Sequence, residues 1–257
     1  MSETKIIAVT NQKGGVGKTT TSINVAYYLA KFGNKVLLLD FDPQGNATSG
    51  LGFLKDDVKI TMAEVILGKN KLSDCIIPTK EKNLFIAPSM PTLADAELNL
   101  TKAEKRFRRL QIAISSVEGE YDYVIIDCPP SLSLLTVNAL AAAQYVVLPV
   151  QAEFYALEGL SQLINSMGLV GKNVNPTLSL LGVLPTMMDS RTTLSGQVHS
   201  EIAKFFPNKI FKTSIPRNIR LAEAPSHGVP VGVYDRFSKG ASAYKAVTKE
   251  IMERVGD

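Results

Sequence analysis

A short segment near the amino terminus combines three glycines with two lysines and two threonines, a combination suited to binding phosphate groups. It reads Lys13-Gly14-Gly15-Val16-Gly17-Lys18-Thr19-Thr20. Glycines let consecutive backbone N–H groups turn toward phosphate oxygens, and the amino terminus of a following helix adds partial positive charge. Lys18 would reach the β and γ phosphates, and Thr19 would supply its hydroxyl to Mg²⁺. The segment is predicted to bind a nucleoside triphosphate; a glycine-rich turn with a chance lysine is the alternative.

Three aspartates lie at or just past the ends of apolar runs of strand length. Asp40 and Asp42 come after the run that ends at Leu39, and Asp127 comes after the run that ends at Ile126. Because Mg²⁺ takes carboxylate ligands directly or through its waters, one such carboxylate can face the metal while another orients an attacking water. We expect Asp127 near the water shell of the metal. The segment that follows Asp42 also has the composition of a simple turn.

These side chains need a scaffold that brings separate loops together, and the rest of the sequence predicts one. Apolar runs recur at residues 6–9, 36–39, 84–87, 124–126, 146–150 and 178–184, separated by segments long enough for helices. The runs do not alternate polar and apolar residues, as expected when helices cover both faces of a parallel sheet. We therefore predict an α/β fold, a doubly wound and mostly parallel sheet with helices on both faces, as a single domain over residues 1–257.

Composition excludes several other classes of protein. The chain has 257 residues, of which 45% are hydrophobic and 20% charged, so disordered and collagen-like proteins are excluded. Cys75 and Cys128 lack the spacing of a disulfide framework or a zinc site. Residues 128–151 carry no charge and could cross a bilayer, but their prolines and polar residues predict a helix near 132–143 and a strand near 145–150 instead. The amino terminus lacks a signal-peptide pattern, so we expect a cytoplasmic protein.

Four motifs together resemble those of the ParA/Soj partition ATPases, which belong to the ParA/MinD group with a deviant Walker A motif. The phosphate loop has an early lysine, Lys13, and carries Gln12 where the usual motif has its first glycine. The other motifs are DFDPQGNATSGLG at 40–52, DCPPS at 127–131 and PRNIRLAEAP at 216–225. The resemblance implies a deviant P-loop NTPase fold and a weak ATPase that uses ATP and Mg²⁺.

The resemblance also assigns roles to single residues. It makes Asp42 the water-positioning residue, and it places Asp40 on the metal side together with Thr19 and Asp127. Pro216 and Asn218 would lie at the adenine. Lys13 would reach across an ATP-dependent homodimer to the phosphates of the partner. The implied catalytic residues are thus Lys13, Lys18 and Asp42.

Positive charge is concentrated in one stretch. From 189 to 220, six basic residues face two acidic ones, giving +4, the same as the net charge of the whole chain. Two copies of such a surface could neutralise several phosphates of double-stranded DNA without reading any base. Arg191 and Arg220 match positions that bind DNA in members of the resembled family, and charge alone adds Lys204, Lys209, Lys212 and Arg217. A second basic cluster at 102–109 is expected to be the solvated face of a helix.

The leading hypothesis is an ATP-dependent DNA-partitioning switch on the nucleoid, in which a ParB-like centromere-binding protein stimulates slow hydrolysis and releases the DNA. The alternative is a MinD-like membrane-cycling regulator. Residues 241–257 form an amphipathic pattern without net charge, which favours docking on the core, so no stable membrane association is expected. An iron–sulfur reductase would need cysteines in another context. A metabolic ligase on the same loop stays open.

Overall fold

Within the residues that the structure, a computed structural model, describes (3–54, 56, 58–151, 156–189 and 191–256), seven strands form one sheet. Their order across the sheet is β3-β4-β2-β5-β1-β6-β7. All neighbours are parallel except β3, which pairs antiparallel with β4 at the edge. The strands are β1 (Lys5–Val9), β2 (Val36–Asp40), β3 (Ile77–Pro78), β4 (Leu84–Ala87), β5 (Tyr123–Asp127), β6 (Tyr145–Gln151) and β7 (Ser179–Thr186).

Helices connect the strands and cover both faces of the sheet. They are α1 (Lys18–Lys31), α2 (Asn46–Gly50), α3 (Met62–Ile66), α4 (Leu72–Cys75), α5 (Thr92–Leu100), α6 (Arg109–Ser115), α7 (Leu134–Ala142), α8 (Ala156–Asn173), α9 (Thr193–Phe205), α10 (Ile219–Glu223), α11 (Val231–Tyr234) and α12 (Lys239–Val255). A short 3-10 turn, Ala224–His227, follows α10. The predicted fold class, a mostly parallel α/β sheet with helices on both faces, is confirmed.

The core lies on both sides of the central strands. On one face, α1 and α12 pack against alternate residues of β1, β2 and β5; on the other face, α3, α5, α6 and α7 pack against the residues in between. Every residue of β2 and β5 is buried. Their apolar runs lack alternation because both faces are covered.

The carboxyl-terminal helix docks on the core as its pattern indicates. Tyr244, Val247, Ile251 and Val255 of α12 are buried, and they belong to the same cluster as α1. The uncharged segment at 128–151 forms α7 and β6, close to the predicted bounds. No helix among the described residues has both the length and the apolar character needed to span a bilayer.

One local prediction needs correction. The basic cluster at 102–109 does not form the face of a helix, because residues 101–108 form turns and α6 begins only at Arg109. Its side chains are also partly used in packing: the guanidinium of Arg108 donates to the carbonyl of Val174, and that of Arg109 donates to the carbonyl of Ile66. The cluster is nevertheless solvated, since Lys102, Lys105, Arg106 and Arg108 are exposed and Arg109 is half-buried.

The sheet brings the aspartates to one edge. β5 lies between β1 and β2, and Asp127 is the register partner of both Val9 and Asp40. The phosphate loop begins directly after β1, so it rises from the same edge. Ligands of open parallel sheets bind outside the carboxyl ends of the strands, and this edge is therefore where the candidate site lies.

Candidate functional site

The phosphate loop owes its shape to two glycines in the left-handed region. Gly15 has φ 75° and Gly17 has φ 89°, conformations that a side chain would strain. Gly17 is the residue from which α1 begins, and the first turn of α1 contains no acidic residue. The loop and the positive end of the α1 dipole therefore face the same space, which is the arrangement that binds phosphate.

Two polar side chains outside the predicted motif fix the loop to neighbouring strands. The Asn11 amide donates to the carbonyl of Pro149 in β6 (2.7 Å), while its oxygen accepts the N–H of Lys13 (3.0 Å). The Thr186 hydroxyl, at the end of β7, donates to the carbonyl of Val16 (2.8 Å). The bonds to the Pro149 carbonyl and to the Val16 carbonyl could not be predicted, since each joins residues that are more than a hundred positions apart.

Lys18 is nearly buried, and its ammonium lies inside the loop. Its side chain donates to the carbonyl of Lys13 (3.0 Å). Burial lowers the pKa of Lys18, while the negative field of Asp127 acts in the opposite direction. A buried cation is costly unless an anion accompanies it. The position of this ammonium therefore favours an anionic ligand in the loop.

Asp127 has a buried carboxylate oxygen that no hydrogen bond from the described residues satisfies. Its carboxylate is fully buried; Oδ1 accepts the hydroxyl of Ser22 (2.9 Å), whereas Oδ2 accepts no hydrogen bond from the described residues. Burial, followed by the nearby charge of Asp40, raises the pKa of Asp127. Buried polar atoms are almost always satisfied. A Mg²⁺ ion or one of its waters fits this oxygen.

The donor set near Asp127 also suits Mg²⁺ rather than a metal held by the protein alone. Among the residues that the structure describes, no group of three or more His, Cys, Asp or Glu side chains could enclose an ion. Mg²⁺ usually keeps several waters and binds one or two protein ligands together with phosphates of the substrate. Thr19 and Asp127 would form such a minimal set.

Asp40 is fully buried and is hydrogen-bonded to other parts of the protein. Its Oδ2 accepts both the N–H (2.8 Å) and the hydroxyl (2.7 Å) of Thr48, and its Oδ1 accepts the N–H of Asp42 (3.3 Å). Burial raises the pKa of Asp40, and the bonds from Thr48 oppose that rise. The metal-side role implied by the resemblance stays a prediction; the contacts favour Asp40 as an anchor for the segment that follows it.

Asp42 lies at the wall of a cavity of about 280 Å³ above the phosphate loop. It is 6% exposed, and its Oδ1 accepts the N–H of Gln44 (3.0 Å). The structure brings Lys18, Thr19 and Asp42 together around this cavity. Its lining comprises Gly14, Gly15, Gly17, Lys18, Thr19, Thr20, Asp42, Gln44, Asn46, Pro130 and Met187. Gln44, Asn46, Pro130 and Met187 were not predicted as site residues.

A second, mostly apolar cavity of about 420 Å³ adjoins the first. The two share Gly17, Thr20 and Met187. Pro216 and Asn218, predicted to lie at the adenine, both line it, and its wall also contains Ile215, Leu221 and Tyr244. The side-chain oxygen of Asn218 accepts the N–H of Arg220 (3.0 Å) and so caps α10. One cavity can hold phosphates while the other holds a base.

Lys13 contributes its backbone to the loop, where its carbonyl accepts a hydrogen bond from the Lys18 ammonium. The residue is exposed, and it is not among the residues lining either cavity. The role of its side chain at the phosphates stays a prediction.

Several of the predicted DNA-binding residues form ion pairs at the surface. Arg191 pairs with Asp189 (2.6 Å), Lys204 pairs with Glu201 (2.6 Å), and Arg220 pairs with Glu223 (2.8 Å) and Asp235 (3.4 Å). Both acidic partners of Arg220 lie outside the stretch 189–220, so the surface is less positive than the count along the sequence indicates. In the described part of the chain, Lys209, Lys212 and Arg217 are exposed and form no ion pair.

The unpaired cations and the cavity belong to one segment. Residues 209–217 run alongside β7, with Val183 opposite Ile210 and Met188 opposite Pro216. Arg217 ends this run at the rim of the second cavity. The same segment therefore supplies surface charge and the wall of the base-sized cavity.

Comparison with known proteins identifies the family of the chain. Residues 4–180 match the family described as "AAA domain". The chain is 53% identical to the sporulation initiation inhibitor protein Soj of Bacillus subtilis, over 96% of this chain and 98% of the relative. It is 48% identical to the chromosome partitioning protein ParA of Myxococcus xanthus, over 97% of this chain and 88% of the relative.

Solved structures share the whole fold. A protein of Mycobacterium smegmatis named cobyrinic acid a,c-diamide synthase, with bound ATP analog and magnesium, is 38% identical with a TM-score of 0.89, over 99% of this chain and 96% of that one. The septum site-determining protein MinD of Pyrococcus horikoshii, complexed with Mg-ADP, is 27% identical with a TM-score of 0.80, over 98% of both chains. With its phosphate loop, its strand-end aspartates and relatives that match it nearly end to end, the chain belongs to the Soj/ParA family of chromosome-partitioning P-loop ATPases.

Proposed function

We propose that this chain is an ATP-dependent DNA-partitioning switch, built as one P-loop ATPase domain over residues 1–257. The observation that carries the proposal is the pair of adjoining cavities: the loop, Lys18 and Asp42 surround one, and Pro216 and Asn218 line the other. Together they match the triphosphate and the base of one ATP molecule. The names of the relatives, Soj and ParA, support a role in chromosome partition.

Each residue at the phosphate end has a distinct task in this proposal. The N–H groups of 14–20 and the Lys18 ammonium hold the β and γ phosphates. Thr19 and Asp127 hold Mg²⁺, which when bound would neutralise charge on the phosphates. Asp42 accepts a hydrogen bond from the attacking water and orients it toward the γ phosphate. Turnover is expected to be slow, as the resemblance to the ParA/Soj ATPases implies.

The position of Lys13 supports an ATP-dependent homodimer. Because it is exposed and lies outside both cavities, it can serve the phosphates of a facing copy rather than those of its own chain. A cation placed there would stabilise negative charge on the transferred phosphoryl group. ATP would then hold two subunits together, and hydrolysis would release them.

The dimer is the form that would bind DNA. Its basic surface, formed in duplicate by Arg191, Lys204, Lys209, Lys212, Arg217 and Arg220, contacts backbone phosphates of double-stranded DNA without reading sequence. The location is the cytoplasm, on the nucleoid. A ParB-like centromere-binding protein would stimulate hydrolysis and free the DNA. ATP hydrolysis would thus control whether the protein stays on the nucleoid.

Retention on nonspecific DNA with ATP, with ADP and without nucleotide tests this switch. We expect retention only with ATP, and we expect Lys18→Ala to lose both ATP binding and retention. Asp42→Ala should retain DNA and fail to turn over ATP. Equal retention in all three nucleotide states would contradict the switch, and normal hydrolysis by Asp42→Ala would contradict the role given to that residue.

Membrane cycling is the second candidate, because the fold is also that of MinD from P. horikoshii. The buried apolar side of α12 opposes it, since that helix already packs on the core. Sedimentation with anionic vesicles in the presence of ATP separates the two functions. We expect the protein to stay in the supernatant.

A further inference from the structure

Part of the wall of the phosphate cavity comes from one short turn, residues 42–48, which leads from β2 into α2. Asp42 begins it: its Oδ1 accepts the N–H of Gln44 (3.0 Å), and its carbonyl accepts the N–H of Gly45 (2.9 Å). Asn46 then starts α2. Asp42, Gln44 and Asn46 all line the cavity. Whatever holds this turn in place also sets the distance between the Asp42 carboxylate and the phosphates.

A single hydroxyl group joins the far end of this turn to two strands. The Thr48 hydroxyl donates to Oδ2 of Asp40 (2.7 Å) and accepts the N–H of Ser89 (3.0 Å). Ser89 lies two residues past the end of β4. The N–H of Thr48 donates to the same Asp40 oxygen (2.8 Å). Thr48 is 1% exposed, so water does not compete for these bonds. Hydrogen bonds to a buried carboxylate are among the stronger ones in proteins.

The near end of the turn is held by the same carboxylate. Oδ1 of Asp40 accepts the N–H of Asp42 (3.3 Å). The Asp40 carboxylate therefore accepts hydrogen bonds from both ends of the turn, at residues 42 and 48. Between these two points the turn is packed against Ser89: a side chain at Gly45, which has φ 63°, would place its Cβ 2.7 Å from the Ser89 carbonyl oxygen.

We propose that Thr48 is a positioning residue for the reaction, and that its hydroxyl, held between Asp40 and Ser89, fixes the Asp42 carboxylate at the phosphate cavity. The proposal rests on the proposed function, in which Asp42 orients the attacking water. Thr48 itself does not line the cavity, so it acts only through the turn. Misplacement of a catalytic group by about 1 Å can cost about a hundredfold in rate.

The test compares Thr48→Val, which keeps the shape and removes the hydroxyl, with Thr48→Ser, which keeps the hydroxyl. Thr248→Val is the matched control, because Thr248 is also fully buried and its hydroxyl donates to the carbonyl of Tyr244 within α12 (2.8 Å). Gly45→Ala disturbs the same turn without touching Thr48, and it serves if Thr48→Val does not fold. Three quantities are measured: single-turnover hydrolysis, affinity for a fluorescent ATP analogue, and amide hydrogen exchange of residues 42–50 in nucleotide-free protein.

For Thr48→Val and Gly45→Ala we expect hydrolysis to fall about tenfold or more, with nucleotide affinity changed less than about twofold, because the phosphate loop is intact. Amides of 42–50 should exchange faster, while those of α1 should not. Thr48→Ser and Thr248→Val should hydrolyse ATP at the rate of the unmodified protein. Thr248→Val should lose less thermal stability than Thr48→Val, because its hydroxyl donates to a carbonyl oxygen and not to a carboxylate.

Two results would overturn the proposal. One is normal hydrolysis by Thr48→Val while Asp42→Ala is inactive, which leaves the proposed function standing. The other is a parallel loss of hydrolysis, nucleotide affinity and thermal stability, which would make Thr48 merely structural. Normal hydrolysis by Asp42→Ala would instead contradict the proposed function itself.

Discussion

Buried polar groups at the candidate site are poorly satisfied within the single chain. Lys18 uses a backbone carbonyl as its partner, and one oxygen of Asp127 accepts no hydrogen bond from the described residues. Each arrangement costs free energy in the absence of a ligand. An anionic triphosphate with its metal would relieve both. Removing the charge of Lys18 should therefore cost binding and little stability.

The two cysteines are expected to be unreactive in the native protein. Cys75 and Cys128 are buried, and desolvation raises the pKa of both thiols, that of Cys75 to about 12. The thiolate is the reactive form, so a raised pKa keeps both groups protonated at pH 8. We expect no reaction with Ellman's reagent at pH 8 in the native protein, and two thiols per chain after unfolding in guanidinium. Rapid modification of the native protein would contradict this environment.

The site residues differ in how far the sequence could reveal them. Lys18, Thr19 and Asp42 are adjacent to glycines or strand ends, and such local patterns can be read directly. Thr48, Asn11 and Thr186 each make at least one contact with a segment far away in the chain, which no local pattern records. Their roles required the three-dimensional structure.

Among the elements, α12 does more than cover the sheet. Glu250 is buried and accepts the N–H of Lys212 (3.0 Å), while Arg254 binds Glu250 (2.7 Å) and donates to the carbonyls of Leu181 (2.8 Å) and Ile210 (2.7 Å). This pair attaches the segment 209–217 to α12 and β7. The segment leads directly to Pro216 and Asn218, so α12 also supports the wall of the second cavity.

Removal of Arg254 tests this attachment. Arg254→Leu leaves Glu250 buried without its cation and leaves two carbonyls without a donor, so we expect a loss of about 3 kcal/mol in the free energy of unfolding. The measurement is urea denaturation of both proteins. Lys245→Leu, on the exposed side of the same helix, is the control and should change stability by less than about 0.5 kcal/mol. Equal stability of the two variants would contradict the attachment.

A close contact between two backbones joins α2 to the turn after α10. Gly228 has φ 65°, and a Cβ there would lie 2.6 Å from Cα of Gly52. Both the backbone conformation and the space exclude a side chain. We expect Gly228→Ala to cost about 2 kcal/mol or more of stability. Gly168→Ala, at an open position inside α8, should stabilise the protein slightly, and thermal unfolding of both variants checks the difference.

Elements were predictable where a long apolar run decided them. All six predicted strands are present, because most residues of each run are buried in the sheet. β3 was missed, since two residues with a proline carry no pattern, and an edge strand tolerates proline. The start of α6 was missed because the charges at 102–109 look helical, whereas Lys105 adopts φ 55° and the backbone turns there.

Considered as a whole, the molecule is half of the proposed catalytic unit. In the proposed site one chain would supply Lys18, Asp42 and Asp127 at the phosphates, whereas its Lys13 lines neither cavity. The basic surface of one chain also has little free positive charge, because three of its six cations are already ion-paired within the chain. Doubling the remaining charges by dimerisation would raise DNA affinity steeply, because each neutralised phosphate releases counterions.

The mass of the hydrolysis-blocked protein in solution tests the central claim most directly. Asp42→Ala, saturated with Mg-ATP, is measured by size-exclusion chromatography with light scattering, beside the same variant carrying Lys13→Ala. The account predicts twice the chain mass of 27.8 kDa for Asp42→Ala with ATP, and the mass of one chain without ATP or without Lys13. A mass of one chain for ATP-saturated Asp42→Ala would contradict it.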